Sequence, residues 1–302
     1  MTQPALIRHC ANWLRQQPTL GRWALRALPD VRLKMKIDLV GPFYLRARRN
    51  RSFWLRDPYT HERFPLGALQ RLISPGDVVY DVGANIGFYA RLIASEFKPS
   101  RVICFEPMTD NRQLLQANIQ VSDARDRIQV VPYALSDRDG EEALQIDDIM
   151  SGTAVLDRVT DGKPSSGRSQ YGLPPVTETV RVARLDSLIQ SEQLPAPDVI
   201  KIDIEGAEAL MIKGAEQVLK SSRPDLVVEL HGAEAARDVF RFLDGLGYMC
   251  FGQVSSGGKP VYSKLDSTMI EKLKGYYDLH FIVASFDESK LSTPILPFSN
   301  QR

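Results

Sequence analysis

Apolar residues change period along this chain. Short apolar runs bounded by turn formers predict buried strands at 78–82, 101–105, 128–132, 198–202 and 225–230. Stretches with apolar positions three and four apart predict helices at 87–97, 110–121, 207–219 and 233–246. Two further strands follow at 248–254 and 279–284. Strand and helix in repeated succession predict βα units feeding a parallel sheet covered on both faces.

The flanks are less regular. Residues 1–35 read as one or two short helices broken near Pro18 and Pro29, with Leu6, Ile7, Trp13 and Leu14 on one face. Residues 37–58 read as irregular strand and loop, and 66–73 as a helix ending at Ser74-Pro75-Gly76. Residues 151–176 are rich in turn formers and predict a long, mobile loop insertion. A strand at 177–183 follows, then a short helix N-capped by Asp186. The pattern divides into a basic helical or irregular extension (1–60), a main domain (61–290) and a flexible tail (291–302) with two prolines.

The junction after the first strand of the main domain carries the sharpest signal. Asp81-Val82-Gly83-Ala84-Asn85-Ile86-Gly87 takes an apolar strand through an acid and two glycines into a helix. In open α/β sheets, ligands bind at such strand ends. Gly83 and Gly87 let backbone approach a ligand, Asp81 can accept from an ammonium or a water, and Asn85 can cap the helix. The dinucleotide fingerprint G-x-G-x-x-G needs a middle glycine beside the pyrophosphate, and Asn85 stands in its place. A ligand without phosphates, such as S-adenosylmethionine, fits better. Glu106, just past the second strand and about 20 residues beyond the glycines, suits a ribose diol. After the third strand, Ala134 and Leu135 can pack on the base, and Ser136 or Asp137 can accept from its amino group.

Two other strand ends hold acid–base chemistry. Ile202-Asp203-Ile204-Glu205-Gly206 closes the fourth strand with two acids, and Glu229-Leu230-His231 closes the fifth. His231 has an ordinary pKa suited to a general base. Asp203, Glu205 and His231 could also hold a divalent ion, but their spacing specifies no closed site, and no metal is expected. For each of these residues the plainer alternative is a solvated acid or a helix cap.

Composition changes little. A hydrophobic fraction of 43%, a charged fraction of 25% and a net charge of +1 describe an ordinary globular protein. Residues 1–56 hold many basic residues and only Asp30 and Asp38 as acids. Such a segment suits anionic lipid, a phosphorylated substrate or nucleic acid, or is a solvated helical face. No nucleic-acid motif accompanies it, and Trp13, Trp23 and Trp54 read as packing residues, so nucleic acid is not the expected acceptor. Cys10, Cys104 and Cys250 form no CxxC pair, which fits a reducing compartment. With no membrane-spanning run and no signal-peptide core before Trp13, a cytoplasmic protein is expected, with peripheral membrane contact open.

Together the Asp81–Tyr89 run, Phe105-Glu106-Pro107, Ala134-Leu135-Ser136-Asp137, Arg184-Leu185-Asp186-Ser187-Leu188 and Lys201-Ile202-Asp203-Ile204-Glu205-Gly206-Ala207-Glu208 resemble the FkbM-type methyltransferases over residues 72–248. The resemblance implies a Rossmann-like class I methyltransferase fold: seven mostly parallel strands, the last antiparallel, with helices on both faces. It implies S-adenosylmethionine held by Asp81, Gly83, Asn85, Gly87 and Glu106. It also implies O-methylation of a hydroxyl on a sugar, a glycolipid (a lipid-linked acceptor) or a natural product. Asp203, Glu205 and His231 are the candidates for the acceptor's proton. Two other readings compete. A nucleotide-dependent oxidoreductase would carry the missing G-x-G-x-x-G turn, and a non-catalytic binding module would keep the fold without turnover.

Overall fold

The computed structural model describes residues 29–60, 62–147, 154–160, 168, 174–256, 259–275 and 278–299. Its strands are β1 (Arg32–Ile37), β2 (Gly41–Arg46), β3 (Val78–Val82), β4 (Arg101–Phe105), β5 (Ile128–Val131), β6 (Ala134–Leu135) and β7 (Gly140–Ile146). They continue with β8 (Ala154–Leu156), β9 (Thr177–Ala183), β10 (Val199–Ile202), β11 (Asp225–Glu229), β12 (Met249–Ser256), β13 (Lys259–Lys264) and β14 (Leu279–Ser285).

Eight of these build the central sheet in the order β13-β12-β14-β11-β10-β3-β4-β5. The run β11-β10-β3-β4-β5 is parallel, and β14 lies antiparallel between β11 and β12. The expected sheet is therefore present with one strand more, because β12 turns back into an edge hairpin with β13. The first and fourth strands of the main domain, β3 and β10, are neighbours.

Register decides what meets at the edge. Val82 stands opposite both Phe105 and Ile202, and Ile202 opposite Val228. The carboxyl ends of β4, β3, β10 and β11 thus lie level, so Glu106, Gly83, Asp203 and Glu229 leave the sheet side by side.

Side-chain alternation divides the core. Val79, Val102, Val199 and Val227 point to one face, packed by α1 (Arg63–Leu72), α2 (Phe88–Leu92, continued as a π-turn Ile93–Phe97) and α3 (Thr109–Gln120). Tyr80, Ile103, Ile200 and Leu226 point to the other. There the cover is α4 (Leu185–Ser191), α5 (Glu208–Lys213), α6 (Glu216–Ser221) and α7 (Ala233–Gly245). Both layers bury valine, isoleucine and leucine almost completely, which is why the strands read as continuous apolar runs.

Several expectations are corrected. In the extension, Arg32–Arg46 forms the β1–β2 hairpin where helix was expected up to residue 35, and one short helical turn follows at Ser52–Leu55. Phe43 and Leu45 are fully buried, alternating with Tyr44 and Arg46. Asn118 of α3 clamps the hairpin: its Oδ1 accepts from Tyr44 N at 2.6 Å, and its Nδ2 donates to the Tyr44 and Ile86 carbonyls. The remainder of the predicted N-terminal helices, with Cys10, Trp13 and Trp23, lies outside the described residues. Within the predicted loop 151–176, Ala154–Leu156 is strand β8, and it joins β6, β9 and β7 in a second sheet ordered β6-β9-β7-β8.

The single helix expected at 207–219 is two, α5 and α6. Gly214 between them presses so close to the Ser136 carbonyl that a Cβ there would meet it at 1.9 Å. Asp186 does not cap its own helix; its carboxylate accepts from Gln217 N and Val218 N in α6. Finally, the tail packs: Leu291, Ile295 and Phe298 are buried against α1 and Tyr59. Cys104 and Cys250 are buried free thiols. Among the described residues no helix is long and apolar enough to cross a membrane.

Candidate functional site

An open cleft of about 670 Å³, the solvent at its entrance included, lies over the level strand ends. Its floor is the turn after β3. Gly83 has φ +78° and lies so close to β10 that a Cβ would meet the Asp203 carbonyl oxygen at 1.9 Å. Asn85 follows with φ +49°, a left-handed conformation that asparagine tolerates better than most residues. Its Oδ1 is enclosed and has no hydrogen-bond partner among the described residues.

Glu106 forms one wall. Its Oε2 accepts from Asn85 N at 2.8 Å and its Oε1 from Met108 N at 2.9 Å. Each oxygen keeps a lone pair for a ligand hydroxyl. Burial pushes this carboxyl up to about 7 despite those two donors. Opposite lies an apolar wall of Tyr133, Ala134, Leu135, Leu144, Ala154 and Leu156. Ala134 and Leu135 reach it because β6 pairs with β9.

Not every expected cofactor residue reaches the cavity. Gly87 ends the turn with φ +89° and packs against Leu115 of α3, where a Cβ would lie 2.5 Å from the Leu115 side chain. It shapes the turn from behind. Asp137 is held by Arg158 at 2.6 Å, and Arg158 also bonds Ser136 Oγ and approaches Glu142 at 3.1 Å. These contacts fasten the helical turn Asp157–Thr160 beside the cavity.

Asp81 is fully buried and lies opposite Lys201 across the β3–β10 ladder. Lys201 Nζ is 3.3 Å from Asp81 Oδ1 and 3.4 Å from Asp203 Oδ2. The ammonium that Asp81 was expected to meet therefore belongs to this chain. Lys201 also lies 4.5 Å from the Tyr89 ring centre. Burial works against its charge, but Asp81, Asp203 and Glu229 together raise its pKa.

At the far end of the cavity the acids and the histidine converge. Asp203 and Glu205 line it, Glu205 at a left-handed φ of +50°. Burial raises the Glu205 carboxyl. His231 stands against them, its Nε2 3.5 Å from Glu205 Oε2 and 3.9 Å from Asp203 Oδ1. Its Nδ1 lies 2.6 Å from Oε1 of Glu208, a fully buried carboxylate at the start of α5. Burial opposes the imidazolium, but the Glu208 bond and the charges of Glu205 and Asp203 lift His231 to about 9. Glu229 is pushed up to about 8 by burial and by the nearby Asp203 and Glu62 charges.

The sequence pointed to Asp203, Glu205 and His231 and passed over Lys201, Glu208 and Glu229. Lys201 had a signal, a lone cation inside the apolar run Val199-Ile200-Lys201-Ile202. Donor atoms of Asp203, Glu229 and His231 fall within 4.8 Å of one another. The sequence had offered Asp203, Glu205 and His231 for an ion; the convergent set has Glu229, two residues before His231, in place of Glu205. Lys201 Nζ stands 3.4 Å from Asp203 on this side.

The chain is 28% identical over 194 residues to the AMB antimetabolite synthetase AmbE of Pseudomonas aeruginosa (55% of this chain, 9% of AmbE). It is 31% identical over 170 residues to the hexuronic acid methyltransferase AglP of Haloferax volcanii (55% of this chain, 61% of AglP). It thus spans less than two thirds of either relative. It is 28% identical over 196 residues to the 31-O-demethyl-FK506 methyltransferase FkbM of Streptomyces tacrolimicus (58% of this chain, 74% of that protein). The crystal structure of an FkbM methyltransferase from Methylobacillus flagellatus superposes with a TM-score of 0.42 at 19% identity, covering 70% of this chain and 44% of that one. The sequence profile of the methyltransferase FkbM domain matches residues 81–250, from the buried acid of β3 to the start of β12. With more than half of its length inside that profile, this chain belongs to the FkbM methyltransferase domain family.

Proposed function

We propose that the protein transfers a methyl group from S-adenosylmethionine to a hydroxyl of a sugar-type or natural-product acceptor. The observation that carries this reading is the cavity itself. A glycine turn with an enclosed acceptor at Asn85 Oδ1, a carboxylate at Glu106 and an apolar wall share the cavity with Asp203 and Glu205, and His231 stands against those two acids. The residues present fit the cofactor. Glu106 has lone pairs for ribose hydroxyls, Asn85 Oδ1 can accept from an ammonium, and Tyr133, Leu135 and Leu156 suit a flat base. Asp81 and Gly87 support this pocket from behind, and Asp137 holds its rim through Arg158.

S-adenosylmethionine, when bound, supplies an electrophilic methyl on a sulfonium whose leaving group is a neutral thioether. What the protein adds is alignment and a place for the acceptor's proton. Holding reactants in line is worth several orders of magnitude, and a positioned base adds roughly 10²–10⁴-fold. Asp203 and Glu205 orient the acceptor hydroxyl, and His231 stands within reach of both. The names of AglP and the Streptomyces FkbM place their reactions on a hexuronic acid and on 31-O-demethyl-FK506. Those names make glycans with uronic acids and hydroxylated polyketides the first acceptors to try, with lipid-linked glycans beside them.

Two measurements test the reading. Calorimetry should detect S-adenosylhomocysteine binding to the folded protein. Radiolabelled methyl transfer to a panel of uronic-acid glycans, lipid-linked glycans and hydroxylated metabolites should then identify the acceptor class. A folded protein that binds no S-adenosylhomocysteine would end the methyltransferase reading.

A further inference from the structure

His231 connects two different environments. Its Nε2 faces Glu205 and Asp203, both on the cavity wall. Its Nδ1 faces Glu208, whose side chain is 0% exposed; His231 and Glu208 both stand behind the lining residues Asp203 and Glu205. Glu208 is itself held in place, since its Oε1 also accepts from Gly206 N at 2.9 Å. The Glu205-Gly206 turn, with φ of +50° and +95°, bends the chain so that Glu208 comes up beneath the ring.

A carboxylate with no proton can only accept, so Nδ1 must be the donor and Nε2 the basic nitrogen. We propose that Glu208 is a positioning residue which fixes this tautomer and makes His231, and not Asp203 or Glu205, the base for the acceptor hydroxyl. The assignment rests on the methyl-transfer reading above and deepens it. In the step, Nε2 of the neutral His231 ring, the minority form below about pH 9, takes the hydroxyl proton while the acceptor oxygen forms its bond to the methyl carbon. The carbon–sulfur bond breaks with its electron pair left on sulfur. The products are the methyl ether, the thioether and an imidazolium next to Glu208, and the positive charge has moved from sulfonium to His231.

Competing assignments fit less well. Asp203 is engaged by Lys201 at 3.4 Å. Glu205, its carboxyl raised by burial, stands 3.5 Å from Nε2 and competes for the proton with a ring that Glu208 supports from behind. The groups acting on His231 come from several adjoining elements: Asp203 just past β10, Glu205 and Glu208 from the turn and α5, Glu229 from β11, and His280 from β14. Of these, the Glu208 carboxylate lies at hydrogen-bond distance from Nδ1, 2.6 Å.

The test uses the full chain, with Glu208→Gln and the more conservative Glu208→Asp, and His231→Gln to assign the ring signals. Nitrogen-15 NMR follows the ring through a pH titration, and calorimetry follows S-adenosylhomocysteine. Turnover is measured against pH with the acceptor found in the panel. In the wild type the ring should hold its proton on Nδ1 when neutral and titrate near 9. Glu208→Gln should lower that titration by at least about one unit and cut kcat roughly 10²-fold, while product affinity stays within about threefold. Glu208→Asp should recover part of both.

An unchanged titration in Glu208→Gln, or full turnover in His231→Gln, would overturn the assignment. So would equal losses of melting temperature, product affinity and kcat in both Glu208 variants, since these would mark a plain structural pin. Activity abolished by a chelator and restored by Mn²⁺ would overturn it too, handing the proton's removal to a metal. Failure of the wild type to bind S-adenosylhomocysteine sinks the methyl-transfer reading along with this one. Binding with an unmoved titration sinks this one alone.

Discussion

Replacing Lys201 with methionine keeps the length of the side chain and removes its charge from the centre of the β3–β10 ladder. Asp81, 0% exposed, then faces no cation at its cross-strand position. At 3.3 Å and an effective dielectric near 20, the gross attraction in this pair is about 5 kcal/mol. Removing one partner of a buried pair typically costs about 3–5 kcal/mol, because the other is left charged and desolvated. Lys201→Met should therefore lower the urea-unfolding free energy by about 3–5 kcal/mol. The double variant with Asp81→Asn should recover most of that and lie within about 2 kcal/mol of the wild type. What remains lost would come from Asp203 and Glu229, which also lean on Lys201 but are partly solvated. The assay is a double-mutant cycle from urea midpoints, with slopes checked for constancy. A single-variant loss under about 1 kcal/mol, or strictly additive losses, would refute the view that Asp81 serves as the counter-ion of Lys201.

Other outcomes follow from the same geometry. Gly83→Ala must place a Cβ 1.9 Å from a backbone oxygen at φ +78°, a strain of about 2–5 kcal/mol. It should lower the melting temperature by roughly 5–12 °C and abolish S-adenosylhomocysteine binding; a melting temperature within about 2 °C of wild type would contradict the close approach. Glu106 has its pKa raised from 4.5 to about 7 by burial, so its contribution to stability is full below 4.5 and lost as pH rises through 7. Relative to Glu106→Gln, the wild type should lose about 3 kcal/mol between about pH 4 and pH 8, and parallel urea profiles would count against it. Arg158→Ala removes the contacts to Asp137, Ser136 and Glu142 that hold the turn Asp157–Thr160. Limited proteolysis near residue 157 should then speed up, with product affinity down about 5–10-fold; an unchanged cleavage rate would show that those contacts do not hold it.

The sheet was legible because burial on both faces forces each central strand into an unbroken apolar run, a pattern that survives without any knowledge of partners. Val78–Val82 and Arg101–Phe105 were readable to the residue for that reason. The β1–β2 hairpin was missed although Met35, Ile37, Phe43 and Leu45 alternate with polar neighbours. Lys34, Lys36 and the arginines around them drew attention to charge, and the clamp that makes the hairpin fold, Asn118, lies 74 residues from Tyr44. The split of α5 from α6 was invisible for a similar reason. Gly214 reads as a tolerated glycine in a helix until the Ser136 carbonyl is seen against it.

At the site, sequence revealed which residue types stand at the strand ends but not how their charges are shared. Asp81 looked like a ligand contact because nothing in the linear order says that Lys201 is its neighbour; only the β3–β10 register does. The same register explains why the cluster can hold so many acids. Asp81, Asp203 and Glu229 converge on one ammonium, while Glu205 and Glu208 stand on two sides of one imidazole. Lys201 and His231 therefore divide the acids into an inner trio within the sheet and an outer pair that, on the proposed reading, serves a proton transfer. The division makes a distinction that a count of conspicuous acids cannot. Losing Lys201 should cost folding first, whereas losing Glu208's charge should cost turnover first, although both groups are almost fully buried a few residues apart.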